Sequence, residues 1–243
     1  MTTSIMHEPV IAALQSKGIP KHIAIIMDGN RRWASRQGLP QSVGHWEGAE
    51  TLTDIVRAAA DLGVKTLTVY AFSTENWSRT TEEIENLMDL FEFYLTKKRD
   101  SLVQDGVRLG AIGDLTALPE RVKEALTITQ KATEKGNKIN LILAINYGGR
   151  DEIRRALCKI IEKGLSPADI TEEEISRELD THLFGDPDLL IRPGGEMRIS
   201  NFLIWQISYA EIYTTDILWP DFSAAQLYEA VHEYQCRIRK KGT

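Results

Sequence analysis

The sequence predicts a single α/β domain with a central, mostly parallel β-sheet flanked by helices. Three observations carry this. Short apolar runs rich in β-branched residues alternate with segments of helical period; the runs are apolar on both faces, as strands buried beneath helices are; and helix start and stop signals fall between them. The length, 243 residues, suits one α/β domain, and 42% hydrophobic against 26% charged residues supplies a core while excluding disordered, collagenous and coiled-coil classes.

Along the chain, residues 1–18 read as an N-terminal extension and 19–243 as the domain. His22 to Met27 (HIAIIM) is the first strand. Leu52, Ile55, Val56 and Ala59 then recur at i, i+3, i+4 and i+7, which makes an amphipathic helix. Thr66 to Phe72 is the second strand. Ile84, Leu87, Met88 and Phe91 repeat the helical spacing, in a helix from Ile84 to Leu102 whose Leu, Met, Phe and Tyr stripe suits either core or the wall of an apolar channel. Val107 to Ile112, Ile139 to Asn146 and Leu189 to Ile191 complete the strands. Thr80 with Glu83, Thr171 with Glu174 and Ser223 with Gln226 fit capping boxes, and Gly63, Gly106, Gly136 and Gly164 stand where helices should stop.

Charge and composition narrow the function. Lys plus Arg total 29 against 35 Asp plus Glu, a net charge of −6, so neither nucleic acid nor an anionic bilayer attracts the molecule as a whole. Any anion site must be built locally. Cys158 and Cys236 lack CxxC spacing and are expected as buried free thiols in a reducing, cytoplasmic setting. No apolar run reaches the roughly 18 residues of a spanning helix, and Met1 to Gly18 has no signal-peptide pattern. GxxxxGK[ST], GxGxxG, GxSxG and HExxH are all absent, which removes the motif-backed readings of P-loop, dinucleotide, serine-hydrolase and zinc-protease chemistry.

In a parallel α/β sheet the ligand crevice lies beyond the carboxyl ends of the strands. There the sequence places Asp28-Gly-Asn-Arg-Arg-Trp33, Ser73-Thr-Glu-Asn-Trp-Ser-Arg79, Tyr147-Gly-Gly-Arg150 and Arg192-Pro-Gly-Gly-Glu-Met-Arg-Ile-Ser200. Arg31, Arg32, Arg79, Arg192 and Arg198 form a phosphate or diphosphate clamp, against the alternative of solvated loop arginines. Asp28 suits a carboxylate that holds Mg²⁺ on a substrate phosphate, or a turn-capping Asp. Glu211, amid apolar Tyr209 to Tyr213, needs a partner if buried; a structural salt bridge is its alternative. Trp33 and Trp77 could wall a ligand with an apolar chain and a charged head, or pack at the rim. His45 is a phosphate donor or a helix-start histidine. The residues therefore point to Mg²⁺-assisted chemistry on a phosphorylated, amphipathic small molecule.

The stretches His22 to Ala34, Gly44-His45, Ala71 to Arg79, Asn146 to Arg150, Asp188 to Gln206, Tyr209-Ala-Glu211 and Trp219-Pro220, in this order, resemble the cis-prenyltransferases from about Ile19 onward. The resemblance implies a parallel-stranded α/β homodimer with a hydrophobic tunnel, Mg²⁺, and sequential condensation of isopentenyl diphosphate onto an allylic diphosphate such as farnesyl diphosphate. The implied product is a long-chain polyprenyl diphosphate, precursor of a cell-wall glycan carrier lipid, with at most peripheral membrane contact for its release. By position, Asp28 would serve Mg²⁺ and diphosphate, with Glu211 the second metal-associated acid. Gly29, Asn30, Arg31, Arg32 and Trp33 would form the allylic-diphosphate loop with His45. Asn76 would remove the proton or orient the substrate, with Ser73, Thr74, Glu75, Trp77 and Arg79 around it, and Arg192, Arg198, Ile199 and Ser200 would bind isopentenyl diphosphate. Three positions depart from the family pattern: Gln41, in the substrate cleft, where Arg is frequent; Pro193 where Thr is usual; and Lys240-Lys-Gly242 in place of Arg-x-Gly. A non-catalytic partner subunit of such an enzyme is the alternative, but those have lost the strand-end Asp that is intact here. The absence of Asp-Asp-x-x-Asp argues against the all-helical trans-prenyltransferases.

Overall fold

The structure, a computed structural model, describes residues 2–237, with side chains from residue 8 onward. Six strands form one sheet: β1 (His22–Ile26), β2 (Thr66–Ser73), β3 (Val107–Ile112), β4 (Ile139–Tyr147), β5 (Leu189–Pro193) and β6 (Glu211–Thr215), in the order β3-β4-β2-β1-β5-β6. Every pairing is parallel. Among the described residues nine α-helices accompany the sheet: α1 (Thr2–Ser16), α2 (Asn30–Arg36), α3 (Gln41–Leu62), α4 (Thr81–Lys97), α5 (Arg99–Gln104), α6 (Glu120–Thr133), α7 (Gly149–Glu162), α8 (Glu172–Glu178) and α9 (Ala224–Cys236). The segment after residue 237, with Lys240, lies outside the described residues.

The two-faced apolar runs are explained by strand alternation. Ile23, Ile25, Leu67, Val69, Leu141, Leu143, Leu189 and Ile191 point into a large core shared with α3, α4, α6 and α9. Ala24, Ile26, Ile142, Ala144 and Leu190 point the other way and are covered by Phe202, Leu203 and Ile207. Polar or half-buried edges would not need such runs, and β6, at the sheet edge, is half-buried with Ile212 exposed.

The helix signals behave as capping chemistry requires. Thr80 Oγ1 accepts from Glu83 N–H, Thr171 Oγ1 from Glu174 N–H, and Gln226 Oε1 from Ser223 N–H. The expected helix from Ile84 to Leu102 is instead two, broken at Lys98. The N-terminal segment is docked rather than free: Leu14 is in the main core, and Gln235 Nε2 of α9 donates to the Leu14 and Gly18 carbonyls. Both cysteines are exposed, correcting the expected burial; Cys158 lies on the outer side of α7 and Cys236 in the last turn of α9. Among the described residues no helix is long and apolar enough to cross a membrane.

Candidate active site

The chain leaves β1 into Asp28, and Gly29 adopts a left-handed conformation (φ 107°) before α2 begins at Asn30. A Cβ at Gly29 would lie 2.8 Å from the Leu218 side chain, so the turn needs glycine twice over. Asp28 is gripped by a guanidinium on each oxygen: Arg32 Nη2 donates to Oδ1 at 3.1 Å, and Arg192 Nη2 to Oδ2 at 2.9 Å. Arg192 comes from β5 and its side chain is only 5% exposed. Its Nη1 donates to Ser200 Oγ at 2.9 Å and to the Arg198 carbonyl, while Arg32 Nη1 donates to the Gly194 carbonyl at 2.6 Å. The β1 and β5 loops are thereby locked around one carboxylate.

A second cationic group faces this one. Arg31 and Arg79 converge on Glu83, at 3.7 and 2.8 Å. Beneath them, burial and the neighbouring Arg79 and Arg31 hold the His45 ring down to about pKa 4 against a weaker pull from Glu83, so it is neutral near pH 7. Gly44 allows α3 to close on α2, since a Cβ there would lie 2.1 Å from the Asn30 carbonyl. The closure buries two polar atoms without protein partners, Asn30 Oδ1 and His45 Nε2. Buried polar atoms are ordinarily bonded, so these two are candidate contacts for a polar ligand.

After β2, residues Thr74–Ser78 form a tight 3₁₀ turn. Asn76 Oδ1 accepts from Ser73 N–H at 3.0 Å. Its oxygen is thus occupied, and the group it offers the cleft is the Nδ2 donor, which fits orienting an anionic substrate better than removing a proton. Burial opposes ionisation of Glu75, but donors from its own backbone, Asn201, Ser73 and Thr74 hold its carboxyl below the usual range.

One cleft of about 610 Å³ is lined by Asp28, Asn30, His45, Ser73, Glu75, Asn76, Arg79, Arg192, Arg198 and Ser200. A second of about 610 Å³ adjoins it, lined by Gly29, Arg31, Arg32, Arg36 and Gln41. An apolar cavity of about 70 Å³, lined by Leu52, Leu87, Leu90, Phe91, Tyr94 and Trp219, shares Met27, Asn30 and His45 with the first cleft. The α4 stripe therefore serves as both core and cavity wall.

Five expected residues stand elsewhere. Trp33 Nε1 donates to Asp221 at 2.8 Å, and Trp77 Nε1 to Asn146 at 2.7 Å while its ring packs edge-on against Phe72; neither lines these clefts. Thr74 lies against Gly148, and Ile199 packs on the second core cluster. Glu211 is paired in register with Leu189, so it sits at the amino end of the sheet, about 13 Å along the strands from the Pro193 end at ~3.3 Å per residue. There it accepts from Arg237 Nη1 at 2.9 Å; within one chain it is not brought to Asp28. Conversely, sequence reasoning missed Glu83, whose capping role hid its contact with two arginines, and Trp219. Trp219 N–H donates to the Asp28 carbonyl at 2.9 Å and its Nε1 to the Gly48 carbonyl at 2.8 Å.

The open parallel α/β sheet thus ends in a cationic, carboxylate-centred cleft with an apolar annex. Comparison with known proteins specifies it. The prenyltransferase family model described as "Putative undecaprenyl diphosphate synthase" matches residues 26–242. An isoprenyl transferase of Chlamydia caviae is 46% identical over 243 residues, covering 97% of this chain and 96% of the relative; one of Clostridium tetani is 48% identical, covering 94% and 91%. Lavandulyl diphosphate synthase from Lavandula x intermedia, solved with dimethylallyl diphosphate, superposes with a TM-score of 0.89 at 39% identity, over 93% of this chain and 99% of that one. A probable undecaprenyl diphosphate synthase from Campylobacter jejuni superposes at 0.79 and 35% identity, over 93% and 100%. The chain belongs to the undecaprenyl diphosphate synthase family of isoprenyl transferases.

Proposed function

We propose that this prenyltransferase condenses isopentenyl diphosphate onto an allylic diphosphate, farnesyl diphosphate being the primer, and repeats the step to a long-chain polyprenyl diphosphate. The product would serve as precursor of the glycan carrier lipid in cell-wall synthesis, made by a cytoplasmic homodimer with at most peripheral membrane contact. One observation carries the reading: a single cleft joins two arginine groups, a central carboxylate and the mouth of an apolar cavity through the shared residues Met27, Asn30 and His45. A substrate with a charged head and a growing hydrocarbon tail needs that combination.

In each round the allylic C1–O bond breaks with its electron pair leaving on diphosphate, the isopentenyl double bond forms the new C–C bond, and one proton is lost. Positive charge spreads over the allylic chain while negative charge gathers on the leaving group. Arg31, Arg79 and the unpartnered His45 Nε2 face the allylic diphosphate, and Arg192, Arg198 and Ser200 the isopentenyl one; donors fixed in advance stabilise the charge-separated state most. Departing diphosphate is the better base than Asn76, whose oxygen is engaged.

Mg²⁺ fits as a shared ion. Among the described residues no group of three or more His, Cys, Asp or Glu could cage a metal, but Mg²⁺ usually takes one or two carboxylates and fills its shell with water and phosphate oxygens. Asp28 would hold it, freed on one oxygen as the half-exposed Arg32 swings to a phosphate. When bound, the ion supplies charge neutralisation of diphosphate.

Incubation with farnesyl diphosphate, labelled isopentenyl diphosphate and Mg²⁺ is expected to give elongated products, and Asp28→Ala to lower turnover by two or more decades. Wild-type-like activity in Asp28→Ala would sink the mechanism.

A further inference from the structure

The apolar annex of the cleft has one wall unlike the others. The cavity holds about 70 Å³, against the roughly 300–1,000 Å³ of an ordinary ligand pocket, so a hydrocarbon tail enters it only by spreading its walls. On the α4 side Leu87, Leu90 and Phe91 present only carbon and are held by packing. Opposite them stands Trp219, fully buried and tied at both ends. Its Nε1 donates to the Gly48 carbonyl of α3 at 2.8 Å, and its backbone N–H donates to the Asp28 carbonyl at 2.9 Å. Phe222 lies stacked against the ring at 5.7 Å. An indole fixed in this way turns only by breaking a buried hydrogen bond, which is costly. Trp219 is the wall that stays in place.

The same residue opens the 3₁₀ turn Trp219–Asp221, which grips the head of the site. Leu218 packs on Gly29, the Pro220 carbonyl accepts from Thr51 Oγ1 at 3.1 Å, and Asp221 Oδ1 accepts from Trp33 Nε1 at 2.8 Å. One turn thus holds the end of β1, α2 and α3. Its bond to the Asp28 carbonyl also orients a peptide. In a planar trans peptide the N–H points opposite to the C=O, so the Gly29 N–H is turned away from Trp219. The ring itself stands at the mouth of the cavity: a Cβ at Gly48 would lie 2.6 Å from Asn30 Oδ1 and 2.9 Å from Trp219 Cδ1. Its edge is therefore beside the unpartnered Asn30 oxygen, where cleft and cavity meet.

We propose that Trp219 is a positioning residue that sets the register between the two ends of the primer: its ring is the fixed wall against which the tail packs beyond its first unit, and its backbone holds the Asp28–Gly29 peptide that the diphosphate meets. The inference rests on the reading above, in which an allylic primer lays its tail in the cavity, and deepens it by naming what lets tail length act on rate. A residue fixed to both regions places the allylic C1 where its bond breaks, and a misplacement of about 1 Å can cost about 10²-fold. Contacts made by the remote tail are then expressed in kcat rather than in affinity. A primer of one isoprene unit has no tail to lay against the ring and gains none of this.

The test varies primer and ring together. At saturating isopentenyl diphosphate, wild-type kcat is expected to rise from dimethylallyl through geranyl to farnesyl diphosphate. In Trp219→Phe, which keeps an apolar ring and loses the Nε1 donor, the farnesyl-to-dimethylallyl ratio of kcat is expected to fall about tenfold, with KM for each primer changing by less than about threefold. Replacing Trp219 with benzothienylalanine keeps both rings and removes only the donor; the ratio is expected to fall about threefold, and this variant carries the test if Trp219→Phe does not fold. A merely structural role lowers kcat by the same factor for every primer. That result, an unchanged ratio, or a wild-type kcat indifferent to tail length overturns the proposal. A second readout needs no turnover. In protein labelled with fluorotryptophan, the Trp219 fluorine resonance, assigned by its loss in either variant, is expected to shift when farnesyl diphosphate is added without metal or isopentenyl diphosphate, and to stay in place with inorganic diphosphate; a resonance unmoved by saturating farnesyl diphosphate also overturns the proposal. Absence of any product from the wild-type chain overturns the function proposed above instead, while the fluorine resonance still decides the role of Trp219.

Discussion

His22 and His45 show how much a single ring reports about its setting. His22 is 3% exposed, with Nδ1 2.8 Å from the Gly185 carbonyl and Nε2 2.8 Å from Thr68 Oγ1. Burial lowers its pKa to about 4, outweighing the Gly185 bond and the charge of Asp188. His45 is lowered to about 4 as well. Between pH 6.5 and 4 the unfolded chain binds protons that the native rings refuse, so stability is level above 6.5 and falls as pH drops through that window. The loss approaches about 3 kcal/mol per ring at the low end. Denaturant melts from pH 7 to 4.5 should therefore show a shallower fall for His45→Gln than for wild type; identical profiles would remove the argument. Gln41 makes the complementary point. It lies in the cleft with Arg31, Arg32 and Arg36, where one more guanidinium would add a charge-assisted bond. Gln41→Arg is expected to lower KM for one diphosphate substrate with little change in kcat, because a rim contact binds ground and transition states alike. Steady-state kinetics with each substrate varied decides it, and two unchanged KM values would reject it.

At the scale of elements, the contact between α2 and α3 sets the cleft. Gly44→Ala would drive a Cβ to 2.1 Å from the Asn30 carbonyl, a backbone atom that cannot rotate away. The helices must part, at a cost of about 1–3 kcal/mol, and turnover should fall with stability; an unaltered thermal midpoint together with unaltered activity would show the closure to be slack. This contact also marks what the sequence could and could not disclose. Strands β1, β2, β4 and β5 were legible because burial on both faces demands β-branched runs. Strand β6 was not, since an edge strand half-exposed along Glu211 to Thr215 carries no such run. The short helix α2 hid inside what reads as a glycine loop, and the break at Lys98 leaves the apolar stripe uninterrupted. In the site, Asp28, Arg79, Arg192 and Arg198 could be named because strand ends collect ligand groups. The joining of Asp28 to Arg192, of Glu83 to two arginines and of Trp219 to Asp28 is long-range pairing, which no local pattern records. Trp33 and Trp77 failed as cleft walls for the same reason: their indole N–H groups found distant carboxylate and amide partners.

Across the whole molecule, the placement of β1 has a consequence for when the site can exist. Strand β1 is made first but lies inside the sheet, in register with β2 on one side and β5 on the other. Asp28 waits for Arg192, 164 residues later in the chain, and its carbonyl waits for Trp219. Closing so long a loop between parallel strands is slow, because its entropy is lost before its contacts are gained. A chain emerging from the ribosome therefore carries Asp28 with only Arg32 beside it until β5 has been made, and the Arg192 half of the cleft is a late birth rather than a gradual ripening. On refolding from denaturant, helical circular dichroism should recover first, and binding of inorganic diphosphate last, in one slow phase; simultaneous recovery would mean that β5 docks early. Until β5 arrives, Asp28 lacks Arg192, and only the half of the cleft built from α2, α3 and the turn after β2 can form.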